Sequence, residues 1–312
     1  MDTMQLVQVR EVDGSLRVGL VEDGAVFDLT RADPVLAGSA LRLIEAGQNR
    51  LLPILQRLRA GLGASRPAWR YERLDRPPGT GPHLLAPVQA PEVWGAGVTF
   101  ERSRQARVGE TLADADVYSR VYEADRPELF LKTSNMLRVV GPHGRIGVRS
   151  DSRWTVPEPE LALVIGPDGR IAAYTAGIDV TARDIEAANP LYLPQAKIFR
   201  GCCALGPTLV VSDDRVDIAG WTVRLRISTS TSVRFQAAVS LAKMRRSPQE
   251  LIEYLCRDNE VLPGTVLLAG TGIVPEDDLA LEPGDVVEVS VGPVGTLTVG
   301  VGAQHEAAAG AG

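Results

Sequence analysis

One stretch constrains the fold more than any other: Trp154-Thr-Val-Pro-Glu158-Pro-Glu160-Leu-Ala-Leu-Val-Ile165. It reads as a strand, and in an extended chain successive side chains alternate between faces. Glu158 and Glu160 therefore point one way, with Ala162 and Val164 continuing that face, while Leu161, Leu163 and Ile165 point the other. A strand apolar on both faces is covered on both faces, which puts the two carboxylates at the mouth of a core. Like charges there repel, and burying them unpaired is costly. A hard divalent cation resolves the conflict, because Mg²⁺ takes oxygens from a few carboxylates and keeps waters or substrate oxygens. Glu-x-Glu alone fits a solvated edge strand with two surface glutamates as well.

The residues that follow shift the balance. The turn Gly166-Pro167-Asp168-Gly169 separates two apolar runs, a hairpin signal. The returning strand brings Asp179, in Asp179-Val-Thr-Ala-Arg183-Asp184, back beside Glu158 and Glu160. Three carboxylates converging on a hairpin suit a hard metal ion. Lys197 follows in Gln195-Ala-Lys-Ile-Phe-Arg-Gly201, ahead of Leu205-Gly206-Pro207.

Glu-x-Glu, then Asp179 to Asp184, then a lysine before Leu-Gly-Pro, then Leu281-Glu-Pro-Gly-Asp-Val-Val-Glu-Val289, resembles the fumarylacetoacetate hydrolase superfamily over about 90–305. The resemblance implies an α+β, β-rich fold whose catalytic domain is a mixed β roll or sandwich. It also implies Mg²⁺ (Mn²⁺ or Ca²⁺ being alternatives) on Glu158, Glu160 and Asp179, and a 2-keto acid that chelates the ion. Lys197 becomes the polar group beside metal and substrate oxygens.

Residues 1–85 form a candidate small α+β domain, and 86–312 the catalytic one. Three short strands near 6–10, 16–20 and 25–29 are split by Asp13-Gly14 and Asp23-Gly24 turns. Helical spacing of Leu41, Ile44, Leu51, Leu55 and Leu58 follows, interrupted near Gly47 and Pro53. Residues 66–81, rich in Pro, Arg and Gly, read as a linker or arm. This lobe carries no chemistry and is expected to stabilise the protein or join copies into a homo-oligomer, a dimer or tetramer as is frequent in the family.

The net charge of −6 argues against a nucleic-acid or anionic-membrane surface. No apolar run is long enough to span a bilayer, and Met1-Asp-Thr-Met-Gln opens no signal peptide. Three cysteines without framework spacing point to reduced thiols in a cytoplasm. His83, His143 and His305 are too scattered for a histidine metal site or triad.

The catalytic part opens at Ala90-Pro-Glu-Val-Trp-Gly-Ala-Gly-Val-Thr-Phe100. Related C–C hydrolases carry a histidine just past this strand to activate water. Thr99 to Arg107 has none, which disfavours hydrolysis, and the segment offers Thr99 and Ser103 to a substrate instead. Trp94 to Thr99, the stretch from Tyr118 to Asn135, and Thr271-Gly-Ile-Val-Pro275 look like the branch that dehydrates 2-keto-3-deoxy pentonates. There Glu128, ahead of an apolar strand, is the candidate base and Glu123 its competitor; a surface position fits either. Lys132 at a strand end suits substrate hydroxyls. Arg183 suits a carboxylate or the substrate, or a structural pair with Asp184 or Glu186. The resemblance puts Thr271 at the substrate carboxylate.

The expected substrate is 2-dehydro-3-deoxy-D-arabinonate, the same compound as 2-keto-3-deoxy-D-xylonate, and the expected product 2,5-dioxopentanoate. A metal-dependent hydrolase or decarboxylase of acylpyruvates is the alternative, and a binding scaffold without turnover a third. Ser247-Pro-Gln-Glu250 carries an N-cap, a proline at N1 and a capping-box glutamate, a structural helix start.

Overall fold

The strand that opens the argument lies near the middle of a 12-stranded sheet. The computed structural model describes residues 3–48, 50–79, 81–101, 120–211, 216–275 and 279–303. In chain order the strands of the first half are β1 (Met4–Arg10), β2 (Leu16–Glu22), β3 (Ala25–Asp28), β4 (Trp69–Arg70), β5 (His83–Leu84), β6 (Glu92–Gly97), β7 (Glu128–Ser134), β8 (Val139–Val140) and β9 (Arg145–Val148). Those of the second half are β10 (Thr155–Ile165), β11 (Ile171–Ala182), β12 (Cys203–Val211), β13 (Thr222–Ser228), β14 (Val233–Ser240), β15 (Val266–Leu268), β16 (Val286–Val291) and β17 (Gly295–Ala303). The large sheet runs β4-β3-β2-β1-β12-β11-β10-β15-β6-β7, with β5 on β1 and β8 on β12. The second sheet runs β14-β13-β16-β17-β9.

All eleven residues of β10 are buried, which removes the solvated-edge reading of Glu-x-Glu. The β10–β11 hairpin forms as its turn predicts, with Glu158 directly opposite Asp179 and Glu160 opposite Gly177. Cross-strand partners on one face lie about 5 Å apart, so the hairpin register by itself collects the carboxylates. On the other side of β10, β15 pairs through Ala162 to Val164, and β6 joins β15 in parallel.

Strand β1 pairs with β12 through Met4 to Leu6. The first 85 residues therefore continue the large sheet, and one apolar cluster runs from Leu6, Leu20 and Leu55 through Leu163 and Leu268 to Val287. The helical spacing near 40–60 becomes α1 (Ala40–Gly47) and α2 (Leu51–Gly61). Gln48 at φ 39° breaks them apart. Pro53 interrupts nothing: it falls in the first turn of α2, where its missing N–H has no intrahelical partner to lose. The expected arm is structured in part, with β4 pairing on β3 and a helical turn, α3 (Tyr71–Leu74), after it.

Three more α-helices follow: α4 (Arg183–Ala188), α5 (Leu193–Lys197) and α6 (Pro248–Cys256). Ser247 caps α6 as expected, its hydroxyl accepting from Glu250 N at 3.1 Å. The other half of the capping box is diverted, because the Glu250 carboxylate takes the Arg246 guanidinium at 2.6 Å.

Candidate functional site: a buried carboxylate cluster

The three predicted ligands meet. Glu158, Glu160 and Asp179 each offer a carboxylate oxygen within 4.8 Å of the others, and all three are buried. Glu158 bridges two cations, accepting from Arg183 Nη2 at 2.9 Å and Lys197 Nζ at 2.8 Å. Lys197, which closes α5, also donates to Asp179 Oδ2 at 3.0 Å and Thr181 Oγ1 at 2.7 Å. Asp179 Oδ1 lies 2.5 Å from Lys132 Nζ. Glu160 Oε2 accepts from the backbone N–H of Gly270.

Glu160 differs from its neighbours in having no cation of its own among these contacts. Burial, then the Asp179 and Glu158 carboxylates, push its pKa well above the ordinary value near 4.5. Such a residue is the one a divalent ion relieves most, so the donor set fits a hard metal.

The pH dependence follows with a definite sign. A carboxyl whose folded pKa is raised binds its proton more tightly folded than unfolded. Its contribution to stability is complete below about 4.5 and is lost as pH rises through the folded value. Thermal unfolding of chelator-stripped protein will therefore show stability falling as pH rises above about 4.5, and Mg²⁺ affinity rising in the same direction. A flat apo profile would contradict the Glu160 assignment.

A narrow cavity opens over this cluster. Glu128, Phe130, Glu158, Glu160, Arg183, Glu186, Lys197 and Thr271 line it, together with Ala96, Gly97 and Val98. The predicted residues are thus largely brought together, with four exceptions. Lys132 is fully buried, its ammonium on Asp179 and on Val180 O at 3.1 Å, and is not part of the cavity wall. Burial pulls its pKa down, but the Asp179 and Cys202 charges and the hydrogen bond to Asp179 together hold it above the ordinary lysine value. Thr99 is also buried outside the wall, its hydroxyl donated to Ala269 O at 2.8 Å. Glu123 lies on the surface beside Arg245 Nη2, at 3.2 Å. Ser103 lies outside the described residues.

The loop after β6 is shaped by this site. Val98 has φ 52°, a region that costs a β-branched residue about 1–3 kcal/mol. It is pinned by the Thr99 hydroxyl and by Arg245 N–H donating to Thr99 O at 3.0 Å. Gly97 faces Glu128 across β6–β7, and a Cβ there would fall inside the Glu128 carboxylate. The Gly97→Ala variant will keep the fold, since a side-chain end can move, but displace Glu128. A drop in kcat of about 10²-fold is expected for a misplacement near 1 Å, with Mg²⁺ affinity unchanged by calorimetry.

The sequence marks neither Phe130 nor Val98 and marks Glu186 only as a structural partner for Arg183. Glu186 had a signal: it follows Asp179 by seven residues and Arg183 by three, and a helix at the end of β11 puts it on the face of Arg183.

Residues 104–302 match the fumarylacetoacetate (FAA) hydrolase C-terminal family. The chain belongs to the fumarylacetoacetate hydrolase family. Within it, this member is 46% identical over 217 residues, 69% of the chain and 72% of the relative, to 2-dehydro-3-deoxy-D-arabinonate dehydratase of Saccharolobus solfataricus. It is 39% identical over 289 residues, 92% and 96% of the two chains, to a probable 2-keto-3-deoxyxylonate dehydratase of Haloferax volcanii. Among solved structures, a 2-keto-3-deoxy-D-arabinonate dehydratase complexed with magnesium and 2,5-dioxopentanoate superposes with a TM-score of 0.79 at 34% identity, covering 96% of this chain and 99% of that one. The fold of this family member is accordingly the β-rich α+β fold of those dehydratases.

Proposed function

We propose that this family member is a Mg²⁺-dependent hydro-lyase that converts 2-dehydro-3-deoxy-D-arabinonate to 2,5-dioxopentanoate. The observation that carries the reading is the buried Glu158, Glu160, Asp179 cluster in a chain 46% identical to an enzyme named for that substrate. These three residues would hold Mg²⁺, with Mn²⁺ or Ca²⁺ as alternatives. The ion, when bound, supplies Lewis acidity at the C2 carbonyl oxygen and so acidifies C3.

The protein residues do the rest. Glu128, in the cavity wall, takes a proton from C3 as general base. Lys197 presents its ammonium to the oxygen that gains charge as that proton leaves. Arg183 and Thr271, also in the wall, orient the substrate carboxylate. The C4 hydroxyl departs as water with one proton, leaving a C3–C4 double bond. A proton returns to C3 and one leaves C5, and the resulting enol ketonises to the C5 aldehyde. Lys132 and Thr99 act from behind the wall, Lys132 by fixing Asp179 and Thr99 by fixing the loop that carries Val98.

Acylpyruvate cleavage finds no support in the histidines. His143 bonds Asp75 at 2.7 Å, His83 contacts Gly81 O, and neither lines the cavity. We also infer a cytoplasmic homo-oligomer, dimer or tetramer, with 1–85 as its stabilising unit. Exposed Leu191 and Tyr192 support association, and the free, buried Cys202 and Cys203 suit a reducing compartment. No described helix is long and apolar enough to cross a membrane.

The deciding assay uses chelator-stripped protein, 2-keto-3-deoxy-D-pentonate and added Mg²⁺, with the product followed by NMR. Metal-dependent 2,5-dioxopentanoate is expected. No turnover, with acylpyruvates cleaved instead, would overturn the reading.

A further inference from the structure

The short stretch from Met244 to Arg246 holds two parts of the cavity wall at once. On one side it holds the loop after β6: Phe100 bridges Met244, and Arg245 N–H donates to Thr99 O at 3.0 Å. On the other it holds the segment that leads into β7. Residues 120–123 are helical, and the last carbonyls of a helix have no partner within it. Arg245 Nε donates to Tyr122 O at 2.8 Å. Arg246 Nη2 donates to Val121 O at 3.1 Å and to Ala124 O, and its Nη1 donates to Asp125 O at 3.0 Å.

Arg246 is 4% exposed. A buried charge is tolerated only where it is paired and hydrogen-bonded, and here three backbone carbonyls and the Glu250 carboxylate meet the guanidinium. Its planar fork reaches several acceptors in fixed directions, which an ammonium does not do. The chain it holds runs directly into Glu128. Asp125 stands three residues earlier; between them Arg126 lies over the Tyr254 ring of α6 at 5.6 Å, and Pro127 is buried. Proline fixes its own φ and confines the residue before it to extended backbone. Few soft dihedrals are left between the clamp and the carboxylate. A shift of Asp125 therefore carries into Glu128, which stands at the end pair of the β6–β7 ladder, opposite Gly97.

We propose that Arg246 is a positioning residue for proton removal: by fixing residues 121–125 it fixes Glu128 in the cavity wall, in register with the Val98 loop that the same stretch holds. This rests on the reading of Glu128 as the base.

The test is a double-variant cycle on the full, Mg²⁺-loaded chain, read by exchange of the C3 hydrogens of 2-keto-3-deoxy-D-pentonate with deuterated water. Arg246→Ala is expected to slow exchange and kcat about 10²-fold, the scale of a misplacement near 1 Å. KM and Mg²⁺ affinity should stay within about threefold, since a shift of the base alone leaves ground-state binding in place. Millimolar guanidinium, refilling the vacated site, should recover about tenfold of the lost rate. In a Glu128→Gln background, Arg246→Ala should slow exchange by no more than about threefold further, because residues that act as one unit are not additive. A merely structural role would multiply the two losses and resist guanidinium. Arg246→Lys keeps the charge without the fork, so its rate should fall between native and Arg246→Ala, and it carries the same cycle if the alanine variant does not fold. Multiplied losses, with Glu128→Gln alone blocking exchange, overturn the positioning role and leave the base assigned. Undiminished exchange in Glu128→Gln overturns both.

Discussion

Glu160→Gln abolishes Mg²⁺ binding and product formation together, with an expected loss in kcat/KM on the order of 10³-fold, matching the several kcal/mol that a Lewis-acid ion supplies. The amide keeps the side chain's volume, and its carbonyl can still accept from Gly270 N–H, so the hairpin and the 269–271 turn remain in place. The two remaining ligands cannot compensate, because Arg183 and Lys197 hold Glu158 while Lys132 and Lys197 hold Asp179. A further signature separates loss of a ligand from loss of the fold. Burial and the neighbouring carboxylates oppose the ionisation of Glu160, so the metal-free variant should be at least as stable as the native protein at pH 8. Calorimetric Mg²⁺ titration and thermal unfolding with and without chelator read both effects. Activity that survives at saturating Mg²⁺ with unaltered metal affinity would remove Glu160 from the ligand set.

Glu128→Gln is expected to lower kcat by about 10²–10⁴-fold, the usual contribution of a positioned general base, while Mg²⁺ binds as before. Glu128 begins β7 in the cavity wall, across from Gly97, and is not one of the three clustered carboxylates. Exchange of the C3 hydrogens with deuterated water, followed by NMR, isolates its step from loss of the C4 hydroxyl and should stop in the variant. Glu123→Gln is the control: that side chain is 68% exposed and paired with Arg245, so activity should be retained. Continued C3 exchange in Glu128→Gln would assign the base to another group.

The two variants test two groups of one cavity wall, one gathered by a hairpin and one brought in by a separate strand. The carboxylate cluster was legible because it is local. Glu158 and Glu160 share a face through the period-two alternation of a strand, and a short Gly-containing turn fixes the register that sets Asp179 opposite Glu158. The start of α6 was legible for the same reason, since Ser247 and Glu250 meet within one turn.

Residues whose roles depend on distant segments were harder to place. Lys132 at a strand end has the polarity of a substrate contact, but its ammonium is folded against Asp179, 47 positions along the chain, and is sealed from the cavity. Thr99 points to Ala269 O, 170 positions away. Glu186 reads as a structural partner of Arg183 until the fold places it in the cavity wall.

The sequence by itself determined the β10–β11 hairpin, its three carboxylates and the cation-binding chemistry they impose, because alternation and turn geometry act between near neighbours. The tertiary structure alone decided that β10 is buried along its whole length, that β1 extends the same sheet through β12, and which of the remaining charged residues face the cavity. Those outcomes depend on which strands pair across long separations and on which side chains the core excludes from water. Local residue patterns do not encode either one.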